Sequence, residues 1–249
     1  MDDDALLRYS RHLLLPEWGA AEQARVRAAR VLLIGLGGLG SPAALYLAAA
    51  GVGRLILCDG DTVDLSNLQR QIVHRQSSLG MSKVDSAALS LQDLNPEVEL
   101  LRHPHAADAA WLASILPSVD LVLDGSDNFA TRDRVNLACV RAGVPLVSAA
   151  AIAWEGQIGV FGLADGPCYR CLYPDLAGAD LRCADNGVFA PLVGVMGAMM
   201  AQEALKLLSQ AAPTLAGRFL VYDARQGEVR VLRVKRDPQC TVCAQERQG

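Results

Sequence analysis

The sequence predicts a doubly wound α/β fold whose mostly parallel sheet is extended by antiparallel C-terminal strands. Three observations carry this. Apolar strand-like segments alternate with helical patterns from residue 30 to residue 149. A glycine-rich turn joins the first strand to the helix after it, and the alternation changes character after residue 150. The 249 residues, 51% hydrophobic and 20% charged, suffice for one large unit in three parts: a helical segment 1–29, a nucleotide-binding half 30–150 and a second half 151–249.

The stretch up to Ala29 reads as helical, with Tyr9, Leu13, Leu14 and Trp18 available to pack on this chain or another subunit. Strand Arg30–Ile34, the glycine turn and a helix Pro42–Ala50 follow, and Gly51 sits where a helix C-cap belongs. Strand Arg54–Asp59 leads through a polar loop to a helix Lys83–Leu94, closed by Asn95-Pro96, and then to a strand Val98–His103. Helix Ala109–Leu116, strand Leu121–Asp124, helix Phe129–Ala142 and strand Leu146–Ala149 complete the alternation. Such a succession winds right-handedly and binds ligands at the C-terminal ends of its strands. Beyond it lie a strand pair suggested by Gln157–Phe161, an apolar helix Val188–Ala201 and strands near Phe219–Tyr222 and Glu228–Val234. The apolar run meets Gln202, Glu203 and Lys206 before the roughly 20 residues that a bilayer crossing needs, so a buried helix is expected and no membrane partner.

A net charge of −4 with no basic run argues against nucleic acid as a partner. The acidic start Met1-Asp2-Asp3-Asp4 lacks the positive charge of an export signal, so a reducing, cytoplasmic setting is expected. Seven cysteines, four of them in two C-x-x-C pairs, favour metal ligation over a disulfide framework.

Gly35-Leu36-Gly37-Gly38-Leu39-Gly40 follows a strand and opens a helix, the context in which a glycine fingerprint cradles phosphate. Ser41-Pro42 stands where a P-loop would carry Lys, so this is a Rossmann-like turn. Asp59 ends the second strand 24 residues after Gly35, about where a carboxylate meets a ribose. The polar segment Asp61–Gln71 carries Arg70, and Lys83 follows at the start of the next helix; as a pair they suit the β- and γ-phosphates of a triphosphate, and taken singly they read as solvated charges. Asp127, in Asp124-Gly-Ser-Asp127-Asn128, is a Mg²⁺ ligand in one reading and the N-cap of the next helix in another.

Cys168, Cys171, Cys240 and Cys243 offer four soft ligands for a closed, structural zinc site, with 68 residues between the pairs. A thioredoxin-like redox role lacks its βαβ context. Cys183 stands alone in a polar loop beside Arg182, reactive or incidental, while Cys58 and Cys139 read as core residues and the histidines show no ligand spacing.

Taken together, Arg8-Tyr-Ser-Arg11, the glycine turn, Asp59 with Asp61, Ser66-Asn67-Leu-Gln-Arg70-Gln71, Gly80 with Lys83, Ser126-Asp127-Asn128, Glu155-Gly156-Gln157 and Pro167-Cys-Tyr-Arg-Cys-Leu172 resemble the MoeB/ThiF family of ubiquitin-activating-enzyme-like adenylyltransferases. The resemblance runs from Arg8 to Cys243. It implies ATP-dependent adenylation of the C-terminal Gly carboxylate of a small ubiquitin-like sulfur carrier ending in Gly-Gly. Molybdenum cofactor biosynthesis is the implied pathway, with a thiamine-pathway carrier as the alternative. It further implies that Gly38, Asp59, Asn67, Arg70 and Lys83 bind ATP, with Asp61 and Asn128 in the same motifs, that Asp127 binds Mg²⁺ and that the four cysteines bind Zn²⁺. Arg11 then reaches the site of a second copy, which makes a homodimer, and Cys183 matches a loop cysteine used in sulfur transfer. Six residues follow Cys243, so sulfur is expected from a separate donor protein. Gly125-Ser126 replaces the commoner Cys-Thr, and Met199-Met200-Ala201 replaces a Gln-containing version of the helix. From other classes, an NAD-dependent oxidoreductase is suggested by the glycine turn alone, and a non-catalytic carrier-docking scaffold would show binding without pyrophosphate exchange.

Overall fold

A computed structural model describes residues 1–163, 165–174 and 187–244. Among these residues eight strands form one sheet in the order β3-β2-β1-β4-β5-β6-β7-β8. The strands β1 (Arg30–Ile34), β2 (Arg54–Cys58), β3 (Glu99–His103), β4 (Leu121–Asp124) and β5 (Leu146–Ile152) run parallel. β6 (Glu155–Phe161), β7 (Arg218–Asp223) and β8 (Glu228–Arg233) continue the sheet antiparallel. The central strands read RVLLI, RLILC and LVLD because both of their faces are covered, which favours continuous apolar runs over alternation. Ile34 at the end of β1 lies in register with Cys58 on one side and Asp124 on the other. The winding therefore reverses between β1 and β4 and opens a crevice at their C-terminal ends.

The helices are α1 (Asp3–Arg8), α2 (Ser10–Leu13), α3 (Ala20–Ala28), α4 (Gly40–Ala49), α5 (Lys83–Leu94), α6 (Ala109–Ile115), α7 (Phe129–Ala142), α8 (Tyr169–Leu172) and α9 (Ala190–Ser209). Successive side chains of β1 face opposite ways, so Leu33 joins Leu47, Leu91 and Met196 in one core while Leu32 joins Leu112, Val122 and Cys139 in the other. Each such aliphatic side chain contributes about 1.5–3 kcal/mol by leaving water. Helix starts follow the caps: the Ser82 hydroxyl accepts from Asp85 N at 3.0 Å and the Asn128 side chain from Thr131 N at 2.9 Å. Gly143, at φ 68°, closes α7.

Most bounds fall within two residues of expectation, and two elements extend furthest beyond it, both for long-range reasons. β5 runs on to Ile152 because Ala149–Ile152 pair with Ile158–Glu155 across a hairpin. α9 passes its polar residues and ends at Ser209: Glu203 is buried, ion-pairs with Lys206 and accepts from Leu215 N at 2.7 Å. At 20 residues α9 is long and apolar enough to cross a membrane, yet half of it is buried within the fold, against α4, β5 and β6.

Candidate functional site

The crevice edge begins with the glycine turn. Gly35 adopts φ 85°, and a Cβ on Gly40 would lie 1.9 Å from the Gly35 carbonyl oxygen, so the turn closes more tightly than any side chain permits. At Gly37 the nearest atom to a Cβ would be Gln71 Nε2 at 3.7 Å, which leaves the space above that residue open. Gly38 has a second duty, since a Cβ there would meet Val193 of α9 at 2.9 Å. The N–H groups of Gly37, Gly38, Leu39 and Gly40 find no acceptor among the described residues. Opening α4 at its positive dipole end, they suit an anion.

Asp59 ties this turn to the next loop. Its Oδ2 accepts from Leu36 N at 2.7 Å and its Oδ1 from Asp61 N at 2.9 Å. Each carboxylate oxygen keeps a further lone pair for a ribose hydroxyl. Lys83, first residue of α5, is buried, with its side chain 8% exposed, and its Nζ lies 2.7 Å from Asp61 Oδ2. Asp61 is 73% exposed. A buried ammonium needs an anionic partner, and this one faces the solvent from which a phosphate would arrive. Asn67 Oδ1 accepts from Asp64 N at 3.0 Å and its carbonyl accepts from Arg70 N and Gln71 N, so the loop is folded by its own hydrogen bonds. Arg70 bonds Ser66 O at 3.1 Å and pairs with no carboxylate among the described residues.

At the end of β4 the capping reading passes from Asp127 to Asn128, which caps α7. Asp127 is left exposed, touching Asn128 Nδ2 at 3.3 Å, and so keeps lone pairs for a hydrated cation. Asp124 is fully buried: Oδ1 accepts from Ser126 N at 2.9 Å, Oδ2 has no partner, and burial raises its pKa above the ordinary carboxylate range. The buried Arg132 guanidinium bonds the Ser126 carbonyl through Nε and Nη2 and so braces the Asp127 turn.

Arg11 is exposed on α2 and is not brought to this edge by its own chain. Two residues before it, the Tyr9 hydroxyl contacts Asn95 Nδ2 at 3.1 Å and Glu97 Oε2 at 3.3 Å, ahead of β3. That anchorage is at the sheet's other end, where the strands begin.

The cysteines meet on the far side of α7. Sγ–Sγ distances are 3.9 Å for Cys168–Cys171, 3.6 Å for Cys168–Cys240 and 3.5 Å for Cys171–Cys243, and all four sulfurs lie within 4.8 Å of one another. Tetrahedral zinc at about 2.3 Å from each sulfur would set them roughly 3.8 Å apart. Asp237 N donates to Cys171 Sγ at 3.4 Å, a bond that steadies a thiolate. Burial, with Cys243 beside it, pushes the Cys171 thiol up to about 11 against the backbone hydrogen bonds, and a dication would reverse that. Four sulfurs without a water position fit a closed structural zinc site.

The ThiF family model matches residues 9–242. The chain belongs to the ThiF family. It is 45% identical over 246 residues to the molybdopterin-synthase adenylyltransferase of Escherichia coli K12, covering 98% of this chain and 99% of that protein. It is 46% identical over 248 residues to adenylyltransferase and sulfurtransferase MOCS3 of Sus scrofa, covering 98% of this chain and 54% of that one. The chain thus spans about half the length of the MOCS3 relatives it matches. The crystal structure of E. coli MccB with MccA-N7isoASN shares the fold, with a TM-score of 0.86 at 24% identity over 97% of this chain and 75% of that one.

Within this ThiF-family chain hydrogen bonds join Leu36 of the glycine turn, Asp59, Asp61 and Lys83 in one series, while Arg11 stands apart and Cys183 lies outside the described residues. The sequence reading passed over Asp124, Arg132, Gln71 and His74. Asp124 and Gln71 lie inside the named motifs without a role of their own, and Arg132 lies in the helix that follows; no local pattern announces their burial, and His74 shows no ligand spacing.

Proposed function

We propose that this chain adenylates the C-terminal glycine carboxylate of a small ubiquitin-like sulfur carrier with ATP, as a step of molybdenum cofactor biosynthesis. The observation that carries this reading is the buried Lys83 ammonium, paired among the described residues with the solvent-facing Asp61 carboxylate and linked through Asp61 and Asp59 to a glycine turn whose N–H groups have no acceptor there. The E. coli relative of matching length bears the name of that activity.

In the proposed reaction the carrier's carboxylate oxygen attacks the α-phosphorus in line. The bond from the α-phosphorus to the α,β-bridging oxygen breaks, and pyrophosphate leaves with the electron pair. A terminal carboxylate is ionised at neutral pH, so no protein base is required. Asp59 orients the ribose, the N–H groups of the glycine turn take phosphate oxygens, and Asn67, Arg70 and Lys83 hold the β- and γ-phosphates as charge moves onto pyrophosphate. Positioning of the two reactants supplies much of the rate. Asp127, with Asn128 beside it, would hold Mg²⁺, which neutralises triphosphate charge when bound. Arg11 of a second copy completes the cationic wall in a homodimer, which accounts for its anchorage away from its own crevice. A separate donor protein then supplies sulfur to the acyl-adenylate and displaces AMP. A reducing, cytoplasmic setting suits this reading, since the four clustered cysteines serve zinc as thiolates rather than a disulfide framework.

The test is to mix the chain with ATP, Mg²⁺ and each candidate carrier, including a thiamine-pathway one, and to look by mass spectrometry for a carrier adenylate. An adenylate on the molybdopterin-synthase carrier is the expected result. Absence of adenylate and of carrier-dependent ATP–pyrophosphate exchange with every carrier would overturn the proposal.

A further inference from the structure

Leu36, inside the glycine turn, has both of its backbone polar groups held by side chains. Its N–H donates to Asp59 Oδ2 at 2.7 Å, and its carbonyl lies 3.0 Å from His74 Nε2 and 3.3 Å from Ser41 Oγ. His74 is 4% exposed and follows the Asn67–Gln71 loop, to which its own N–H bonds through Gln71 O at 3.1 Å. Its other ring nitrogen lies 2.9 Å from Ser86 Oγ, one helical turn along α5 from Lys83, and Ser86 Oγ lies 2.8 Å from Ser78 Oγ. One buried imidazole thus touches the glycine turn and α5, and is tied to the loop that carries Arg70.

The carbonyl of Leu36 and the N–H of Gly37 belong to one planar trans peptide, so they point in opposite directions. A carbonyl can only accept, which requires the proton on Nε2; Nδ1 lies against the Ser86 hydroxyl, which has a single proton to share between this nitrogen and Ser78 Oγ. Burial, with Lys83 nearby, keeps the ring's proton affinity below that of an ordinary histidine, so the ring is neutral. Fixing the Leu36 carbonyl on the buried imidazole therefore turns the Gly37 N–H away from the imidazole, where no acceptor among the described residues meets it.

We propose that His74 is a positioning residue of the nucleotide site: through the Leu36 carbonyl it sets the direction of the Gly37 N–H, and through Ser86 it holds the glycine turn in register with the Lys83 helix. The inference rests on the nucleotide reading above. His74 touches no reacting atom, and a turn meant to receive phosphate loses its grip when its donors are free to swing.

The experiment measures MgATP affinity by calorimetry on the whole chain without a carrier, together with the melting temperature. His74→Leu is expected to weaken MgATP binding about tenfold, as for one buried hydrogen bond left unmade. His74→Gln, whose amide nitrogen reaches towards the Leu36 carbonyl, is expected to recover binding to within about threefold of wild type. In ¹⁵N-resolved NMR the wild-type ring should carry its proton on Nε2, and the Gly37 amide should shift on adding MgATP. Should His74→Leu fail to fold, His74→Asn replaces it, since Asn is too short for the carbonyl. A folded His74→Leu chain with wild-type affinity, equal affinities for the Gln and Asn variants, or a proton on Nδ1 would each overturn the proposal. A wild-type chain that binds no ATP overturns the nucleotide reading and this inference together. One that binds ATP without carrier-dependent exchange overturns adenylation alone.

Discussion

At the nucleotide edge, Asp59, Lys83 and His74 come from three distant segments and are held by hydrogen bonds laid over a large apolar core. At the cysteine centre four sulfurs from two short knuckles sit over a satellite cluster whose buried members are Cys168, Cys240, Val242 and Cys243. The first region is organised by burial that the sheet supplies whether or not a ligand is bound. The second has little apolar surface of its own, and in the zinc reading proposed for it the metal supplies the cohesion. The comparison teaches that removing either ligand should leave the other region's geometry in place.

The largest expected effect comes from the weaker region. Zinc removal by a chelator, or Cys240→Ser, should abolish metal binding and open residues 236–244 to protease, with a loss of up to about 10 kcal/mol of metal-linked folding free energy. MgATP affinity, read by calorimetry, should stay within about threefold of wild type. A collapse of both together would break the comparison. Next, Asp127→Asn should lower carrier-dependent ATP–pyrophosphate exchange by about 10²–10³-fold with the melting temperature unchanged, because the helix is capped by Asn128. Lys83→Met should weaken MgATP binding about 10–100-fold while costing little stability, since the carboxylate it abandons, on Asp61, is already in water.

The smallest effect sharpens the comparison from outside both regions. Asp120 has its pKa lowered chiefly by a hydrogen bond from the Arg30 side chain, helped by the Arg30 N–H, at the strands' other end. A depressed carboxylate contributes stability above its unfolded pKa of about 3.9 and loses it as pH falls through the lower folded value. Melting curves at neutral pH and below pH ~4 should show that slope in the wild type and a shallower one in Asp120→Asn. Metal content and nucleotide affinity should not change with it.

Much of this organisation was legible locally. Helices at Lys83–Leu94 and Phe129–Ala142 begin and end where their caps and breakers stand, and strand Leu121–Asp124 matches to the residue. The two C-x-x-C pairs announced a shared centre across 68 intervening residues, and the sulfurs meet. Less legible were the lengths of β5 and α9. The first depends on a hairpin partner and the second on Glu203 finding Lys206 and Leu215, neither of which is a property of the segment itself.

From the sequence alone came the α/β alternation, the glycine turn, the ligand-bearing pairs and the resemblance that joins them, because periodicity, chirality and turn chemistry act over a few neighbouring residues. The tertiary structure alone decided that Lys83 and His74 are buried, that Asn128 rather than Asp127 caps α7, and that Arg11 lies away from its own crevice. Burial and long-range hydrogen bonding depend on which distant segments share a sheet edge, and no local pattern carries that information.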